Sequence, residues 1–138
     1  MKKESLVFDA WAVVAWLNGE ASASRIRHFI EEAEKGCVEI YMSLINAGEV
    51  FYIIAKRKGM AFARKIIREL LSSPITFVLP SEVQIWKAAE LKAQFPLSYA
   101  DAFAVALGIL KDAPVVTGDP EIRALKEAGK VEVLWLPG

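Results

Sequence analysis

The sequence predicts an α/β fold: a central parallel sheet of about five strands flanked by helices. Short apolar runs alternate with helical patterns throughout the chain, as they do when helices cross over between parallel strands. Capping residues stand at the boundaries between the two patterns. With 138 residues and 54% hydrophobic content, the chain is long enough for one sizeable core and too short for two ordinary ones, so residues 1–138 are expected to form a single domain.

The first strand is expected at Ser5–Phe8, followed by a short helix at Trp11–Leu17 and an amphipathic one at Ala23–Lys35. A second strand at Val38–Met42 leads through Ser43, an N-cap residue, into a helix at Leu44–Lys58 and then another at Ala61–Leu71. The third strand, Ile75–Leu79, precedes a helix at Glu82–Gln94 whose start carries Ser81 with Gln84 three residues on, the spacing of a capping box. Ser98 with Asp101 repeats that spacing before a helix at Tyr99–Leu110. The fourth strand, Val115–Thr117, gives way to a helix at Pro120–Ala128 opened by a first-turn proline, and a fifth strand, Val131–Trp135, closes the pattern. Gly36, Gly59 and Gly129 each follow a helical pattern, as left-handed caps would. Paired helices between several strands depart from a plain alternation of one strand with one helix.

Seventeen basic and seventeen acidic residues cancel, so a nucleic-acid role would have to rest on local basic patches. The single cysteine, Cys37, excludes an internal disulfide, fits a reducing compartment and is expected as a small filler near a strand start. No uncharged apolar run approaches the roughly 20 residues of a membrane span, and Met1-Lys2-Lys3-Glu4 runs directly into a strand rather than a signal peptide. A complete, cytoplasmic protein is the expectation.

Four acids break the apolar pattern. Asp9, Glu49, Asp101 and Asp119 are each the only charge in the stretches Ser5–Gly19, Tyr41–Ala55, Phe95–Leu110 and Ala113–Pro120. Burying a lone carboxylate costs several kcal/mol, so such groups are paired, protonated or bound to a cation. No Lys, Arg or His shares any of the four stretches. If the fold gathers them, repulsion of roughly 4 kcal/mol per pair at 4 Å and an effective dielectric of 20 calls for a cation. All-oxygen ligation suits Mg²⁺ or Mn²⁺. Asp9 and Asp119 follow strand ends, where open α/β sheets place ligand sites, and Glu49 and Asp101 lie in early helical turns facing that edge. Each acid also has a structural use: Asp9 and Asp119 as N-caps, Asp101 as part of a capping box. Glu49 resists such a use, being past the capping positions on a helix that is apolar nearly all round.

The set Leu6-Val7-Phe8-Asp9, Ser43-x-x-Asn46-x-x-Glu49-Val50, Leu97-Ser98-Tyr99-Ala100-Asp101-Ala102 and Val116-Thr117-Gly118-Asp119-Pro120-Glu121 closely resembles the PIN-domain ribonucleases. Within these it resembles the VapC-type toxins of toxin–antitoxin pairs, in order, spacing and total length together. The resemblance implies a PIN fold, a Mg²⁺- or Mn²⁺-dependent endonuclease acting on RNA, and inhibition by a cognate antitoxin. Its acidic quartet maps onto Asp9, Glu49, Asp101 and Asp119, with Thr117 as a polar neighbour of the last. One departure is Trp11, which stands two positions after the first aspartate where family members often carry a small hydroxyl residue. A hydroxyl that would orient a water at the metal is thereby missing.

For phosphodiester hydrolysis, Asp9 and Asp101 are the expected main ligands, with Glu49 and Asp119 completing the site and one carboxylate accepting the proton of the attacking water. Lys56, Arg57, Lys58, Arg64, Lys65 and Arg68 are candidate RNA-phosphate contacts, or equally a solvated face with cations near a helix C-terminus. His28 beside Arg25 and Arg27 reads as a surface residue, and Trp11 and Trp16 as core packing with one of them available to a protein interface. A phosphoacceptor receiver would need paired acids after the first strand and a late Lys; Ala10 follows Asp9 and no Lys lies between Val131 and Gly138. An Asp-x-Asp phosphatase fails at Trp11. A silent PIN-like module binding RNA or protein is the remaining alternative. Zero net charge, high hydrophobicity and the dimers usual among the proteins it resembles point to a homodimer through residues 23–35 and 44–71.

Overall fold

The structure, a computed structural model, describes residues 3–136; the Met1-Lys2 opening and the Pro137-Gly138 end lie outside the described residues. Five strands, β1 (Glu4–Phe8), β2 (Val38–Ser43), β3 (Thr76–Val78), β4 (Val115–Thr117) and β5 (Val133–Trp135), form one sheet in the order β3-β2-β1-β4-β5. Every pairing is parallel, with Leu6 opposite Ile40, Phe8 opposite Val116 and Val115 opposite Val133. Seven helices occupy the connections: α1 (Ala10–Leu17), α2 (Ala23–Glu34), α3 (Leu44–Lys58), α4 (Met60–Leu71), α5 (Glu82–Gln94), α6 (Tyr99–Lys111) and α7 (Pro120–Glu127). The α/β fold expected from sequence is the one observed.

Alternation along each strand divides the core into two layers. Leu6, Phe8, Ile40, Met42 and Val116 join α1–α4 residues such as Val13, Ile26 and Val50 in one buried layer. Val7, Val115 and Val133 join Leu91, Phe103, Leu107 and Ile122 from α5–α7 in the other. Since β1 lies at the centre, the chain winds outward to β2 and β3 on one side and to β4 and β5 on the other. The crossing between β1 and β4 is the topological switch point, where a crevice opens beyond the strand carboxyl ends.

The element boundaries differ from expectation where tertiary contacts decide them. β3 keeps three residues, and Leu79, expected inside it, is 76% exposed beyond its end. β5 starts at Val133 rather than Val131. Ser43, Ser81 and Ser98 accept hydrogen bonds from the backbone N–H of Ile45, Gln84 and Asp101, as N-caps do. The Gln84 side chain, however, is buried and donates to the Phe103 carbonyl at 3.1 Å, tying α5 to α6 instead of reaching back to the cap. Gly59 has φ 91° and ψ 161°, outside the left-handed helical region. It turns the chain from α3 directly into α4, a conformation essentially reserved for glycine. Cys37 is exposed and not a filler; a hydrogen bond with Glu32 raises its thiol pKa. His28 is exposed, its Nε2 3.7 Å from Glu32. Trp11 and Trp16 are partly buried against the α1–α4 layer.

At Gly108, α6 passes close to β4. A Cβ there would lie 2.9 Å from Val115 Cγ2 and 3.0 Å from the Ala113 carbonyl oxygen. Gly108→Ala is therefore expected to lose about 1–3 kcal/mol by overpacking, despite the better helix propensity of alanine. A denaturant melt of the variant beside the wild type measures it.

Candidate metal centre

Asp9 follows β1 and Asp119 follows β4, so the switch point brings their carboxylates together. Asp9 is fully buried. Its Oδ1 accepts the Ala12 N–H at 2.9 Å and its Oδ2 accepts the Thr117 hydroxyl at 2.5 Å. Thr117 Oγ1 in turn accepts the Asp119 N–H at 2.9 Å, and Asp119 Oδ1 accepts the Glu121 N–H at 2.9 Å. Asp9 and Asp119 are thus N-caps of α1 and α7 while sharing one network at the switch point. A carboxylate offers about four lone-pair sites, so capping leaves capacity for a ligand. Thr117, expected beside Asp119, is the bridge between the two aspartates.

Asp101 enters from the first turn of α6, where Ser98 caps its backbone N–H while its buried side chain faces Asp119. Glu49, half-buried on α3, has a partner that its sequence context concealed. Asn46, one turn earlier and fully buried, donates to Glu49 Oε1 at 3.4 Å and to the Ala100 carbonyl at 3.0 Å. The Asn46 amide thereby orients Glu49 and joins α3 to the start of α6; its own Oδ1 has no protein partner.

Glu49, Asp101 and Asp119 line one cleft of about 320 Å³, together with Trp11, Glu20 and Arg57. Asp9 lies outside that lining. A fifth acid, Glu121, joins the group: oxygens of Asp101, Asp119 and Glu121 all lie within 4.8 Å of one another. Sequence reasoning passed over Glu121 because an acid in the first turn of a helix is ordinary dipole chemistry. Its position two residues beyond Asp119, on the same helix start, was the available signal. Among the described cations only Arg57 lines the cleft. Lys56 lies over the Tyr52 ring at 5.5 Å and Lys58 over Phe62 at 5.4 Å, and Arg64, Lys65 and Arg68 are exposed on α4 outside the cleft lining.

Burial dominates the electrostatics, and mutual repulsion is the next cause at Asp101. Desolvation pushes Asp9 up to about 7, against the lowering effect of its bonds from Thr117 and Ala12 and with the added repulsion of Asp119 and Glu49. Desolvation also leads at Asp101, joined by the charge and hydrogen bond of Asp119 and the charges of Asp9 and Glu49, and takes it to about 8. Glu49 is raised by burial and by Asp119, with the Asn46 bond opposing. The ion pairs among the described residues are His28–Glu32 and Lys87–Glu90, neither involving these acids. An all-oxygen donor set carrying excess negative charge and lacking His or Cys fits a hard divalent cation.

The sequence pattern of the PIN domain matches residues 6–128. No curated protein sequence matches the chain. Solved structures match it in fold. VapBC2 from Rickettsia felis, bound to a DNA fragment from its promoter, superposes with a TM-score of 0.74 at 17% identity, over 96% of this chain and 98% of that one. VapC20 from Mycobacterium tuberculosis, a Sarcin-Ricin loop cleaving toxin, gives 0.68 at 19% identity, over 93% and 98%. FitAcB from Neisseria gonorrhoeae gives 0.68 at 16% identity, over 94% and 96%.

The raised pKa values fix the sign of a stability test. A carboxyl whose folded pKa exceeds its unfolded value of 3.8 contributes stability below about pH 4 that is lost as pH rises through about 7 for Asp9 and about 8 for Asp101. In EDTA, the wild type should therefore lose stability relative to Asp101→Asn between pH 4 and 8. Adding Mn²⁺ at a hundredfold excess over Kd should restore about 2.7 kcal/mol to the wild type and less to the variant. Thermal melts of both proteins across pH, with and without Mn²⁺, measure both effects; an undiminished metal shift in the variant would remove Asp101 from the centre.

Proposed function

The chain belongs to the PIN-domain family, and on that premise we propose that it is a divalent-metal-dependent endoribonuclease, the toxin of a toxin–antitoxin pair, with residues 1–138 as one catalytic domain. The observation that carries this reading is the gathering of Glu49, Asp101, Asp119 and Glu121 around the fully buried Asp9 at the switch point of the sheet, with no ion-paired cation. Capping accounts for Asp9 and Asp119 singly; the convergence of the whole set has a direct chemical use.

Asp101, Asp119 and Glu121 would hold Mg²⁺ or Mn²⁺, with Asp9, joined to Asp119 through Thr117, as the further ligand expected from the sequence. When bound, the ion supplies charge neutralisation and Lewis acidity toward the phosphate oxygens. Hydrolysis adds water at phosphorus and breaks a P–O bond, so one proton leaves the water and one reaches the departing oxygen. Glu49 lines the cleft with its carboxylate oriented by Asn46 and a raised pKa, which suits it to accept the first proton. Arg57 on the cleft wall serves the phosphate backbone.

The assembly completes the proposal. A toxin–antitoxin complex from Klebsiella pneumoniae shares the fold, and by likeness to it a cognate antitoxin is the proposed partner here. A homodimer is proposed through α3 and α4, whose exposed apolar residues include Ile45, Tyr52, Met60 and Phe62. The α2 helix, the other expected face, contributes none of the large exposed hydrophobics among the described residues. No helix among these residues is long and apolar enough to cross a membrane, and the proposed location is the cytoplasm. One observation favours a catalytically silent RNA- or protein-binding module instead: Trp11, not a small hydroxyl residue, lines the cleft beside the acids.

Purified protein with Mg²⁺ or Mn²⁺ should cleave members of an RNA panel that includes structured tRNA, and EDTA should stop it. Glu49→Gln and Asp101→Asn should each lower the rate by roughly 10² or more, the scale of a lost acid–base group or ligand. An intact panel with Mn²⁺ demonstrably bound would leave the silent module standing. Light scattering at micromolar concentration should report a dimer.

A further inference from the structure

The cleft above the carboxylates has one aromatic wall, formed by Trp11. The indole is held in place by the backbone of residue 118: a Cβ on Gly118 would lie 2.2 Å from Trp11 Cζ2 and 2.5 Å from Cε2. Only a glycine lets the ring lie flush there. Trp11 is partly exposed; Ala10, Val14 and Ile53 extend the apolar part of the cleft, and Glu20 and Arg57 join the three site acids in its polar part. A volume of about 320 Å³ is at the small end of ligand pockets.

The division of the cleft selects an occupant with two unlike ends. A cation at the carboxylates, with Arg57, would attract a phosphate, whereas Trp11 adds an aromatic, apolar surface to the same cleft. A nucleotide has both ends, and every base has a face that can stack on an aromatic ring. We propose that Trp11 is a substrate-binding residue whose indole stacks on the nucleobase adjoining the phosphate held at the carboxylates. This rests on the nuclease reading above and adds to it a residue that this chain has in place of a small hydroxyl.

The test follows the indole N–H resonance of Trp11, assigned by its loss in Trp11→Phe, with Trp16, Trp86 and Trp135 as internal controls. The probe is a tetraribonucleotide phosphorothioate in Mg²⁺, compared with an abasic analogue of the same length. The base-bearing probe should move the Trp11 resonance and the abasic one should not. Trp11→Leu should weaken binding of the base-bearing probe about tenfold, within the range of base–aromatic stacking energies, and raise KM more than it lowers kcat. Trp11→Phe should keep most of the affinity. An unmoved resonance, an equal response to the abasic probe, or wild-type affinity in a folded Trp11→Leu would each overturn the proposal. If Trp11→Leu does not fold, the resonance of the wild type decides alone. Cleavage of RNA without a Trp11 response would sink this inference and leave the nuclease reading intact; a base-dependent Trp11 response without cleavage would do the reverse.

Discussion

Desolvation of carboxylates gathered in one crevice, with their mutual repulsion added to it, is the constraint on which the rest of the structure turns. Asp9 is fully buried, Asp101 nearly so, and Glu49, Asp119 and Glu121 crowd the same space. None is ion-paired among the described residues. A fold maintains such an arrangement only against the cost of desolvated like charge, and the pushed-up pKa values of Asp9 and Asp101 express that cost. The same arrangement would favour a divalent cation, which would remove the repulsion and replace the lost hydration.

The scaffold holds the acids with groups that also build the fold. Thr117 ends β4, donates to Asp9 and accepts from the Asp119 backbone, so one hydroxyl fixes the two strands' terminal acids relative to each other. Capping does the same for α1 and α7: the oxygens that accept the Ala12 and Glu121 N–H groups point the remaining lone pairs. Asn46 connects Glu49 to the carbonyl just before Asp101, linking the α3 acid to the α6 acid. At Asp9 and Asp119 a capping role is therefore compatible with a place in the candidate site.

Most of the scaffold was legible in the sequence, since strands, helices and serine caps follow from local periodicity and chain entropy. The ends of β3 and β5 were not, because an edge strand extends only as far as its neighbour offers hydrogen bonds. Gln84 was misjudged for a similar reason: a buried carbonyl on α6, distant in sequence, competes with the cap for its amide. The four lone acids were visible as charges without local partners. Glu121 was hidden by Pro120 and by the ordinary look of an acid in a first helical turn. The Asn46 bond to Glu49 was hidden too, although the spacing of three residues on a helix allowed it. The basic residues on α3 and α4 looked like one cluster in sequence, yet helical rotation sends Arg57 to the cleft while Lys56 and Lys58 lie over aromatic rings.

The central claim is that these carboxylates converge on a place for a divalent ion. Anomalous diffraction from crystals grown with Mn²⁺ tests it most directly. The account predicts a manganese peak within ligand distance of Asp101 and Asp119 and absent from crystals of Asp101→Asn. Full Mn²⁺ occupancy elsewhere on the molecule, with the oxygens of Asp101, Asp119 and Glu121 left unligated, would contradict it.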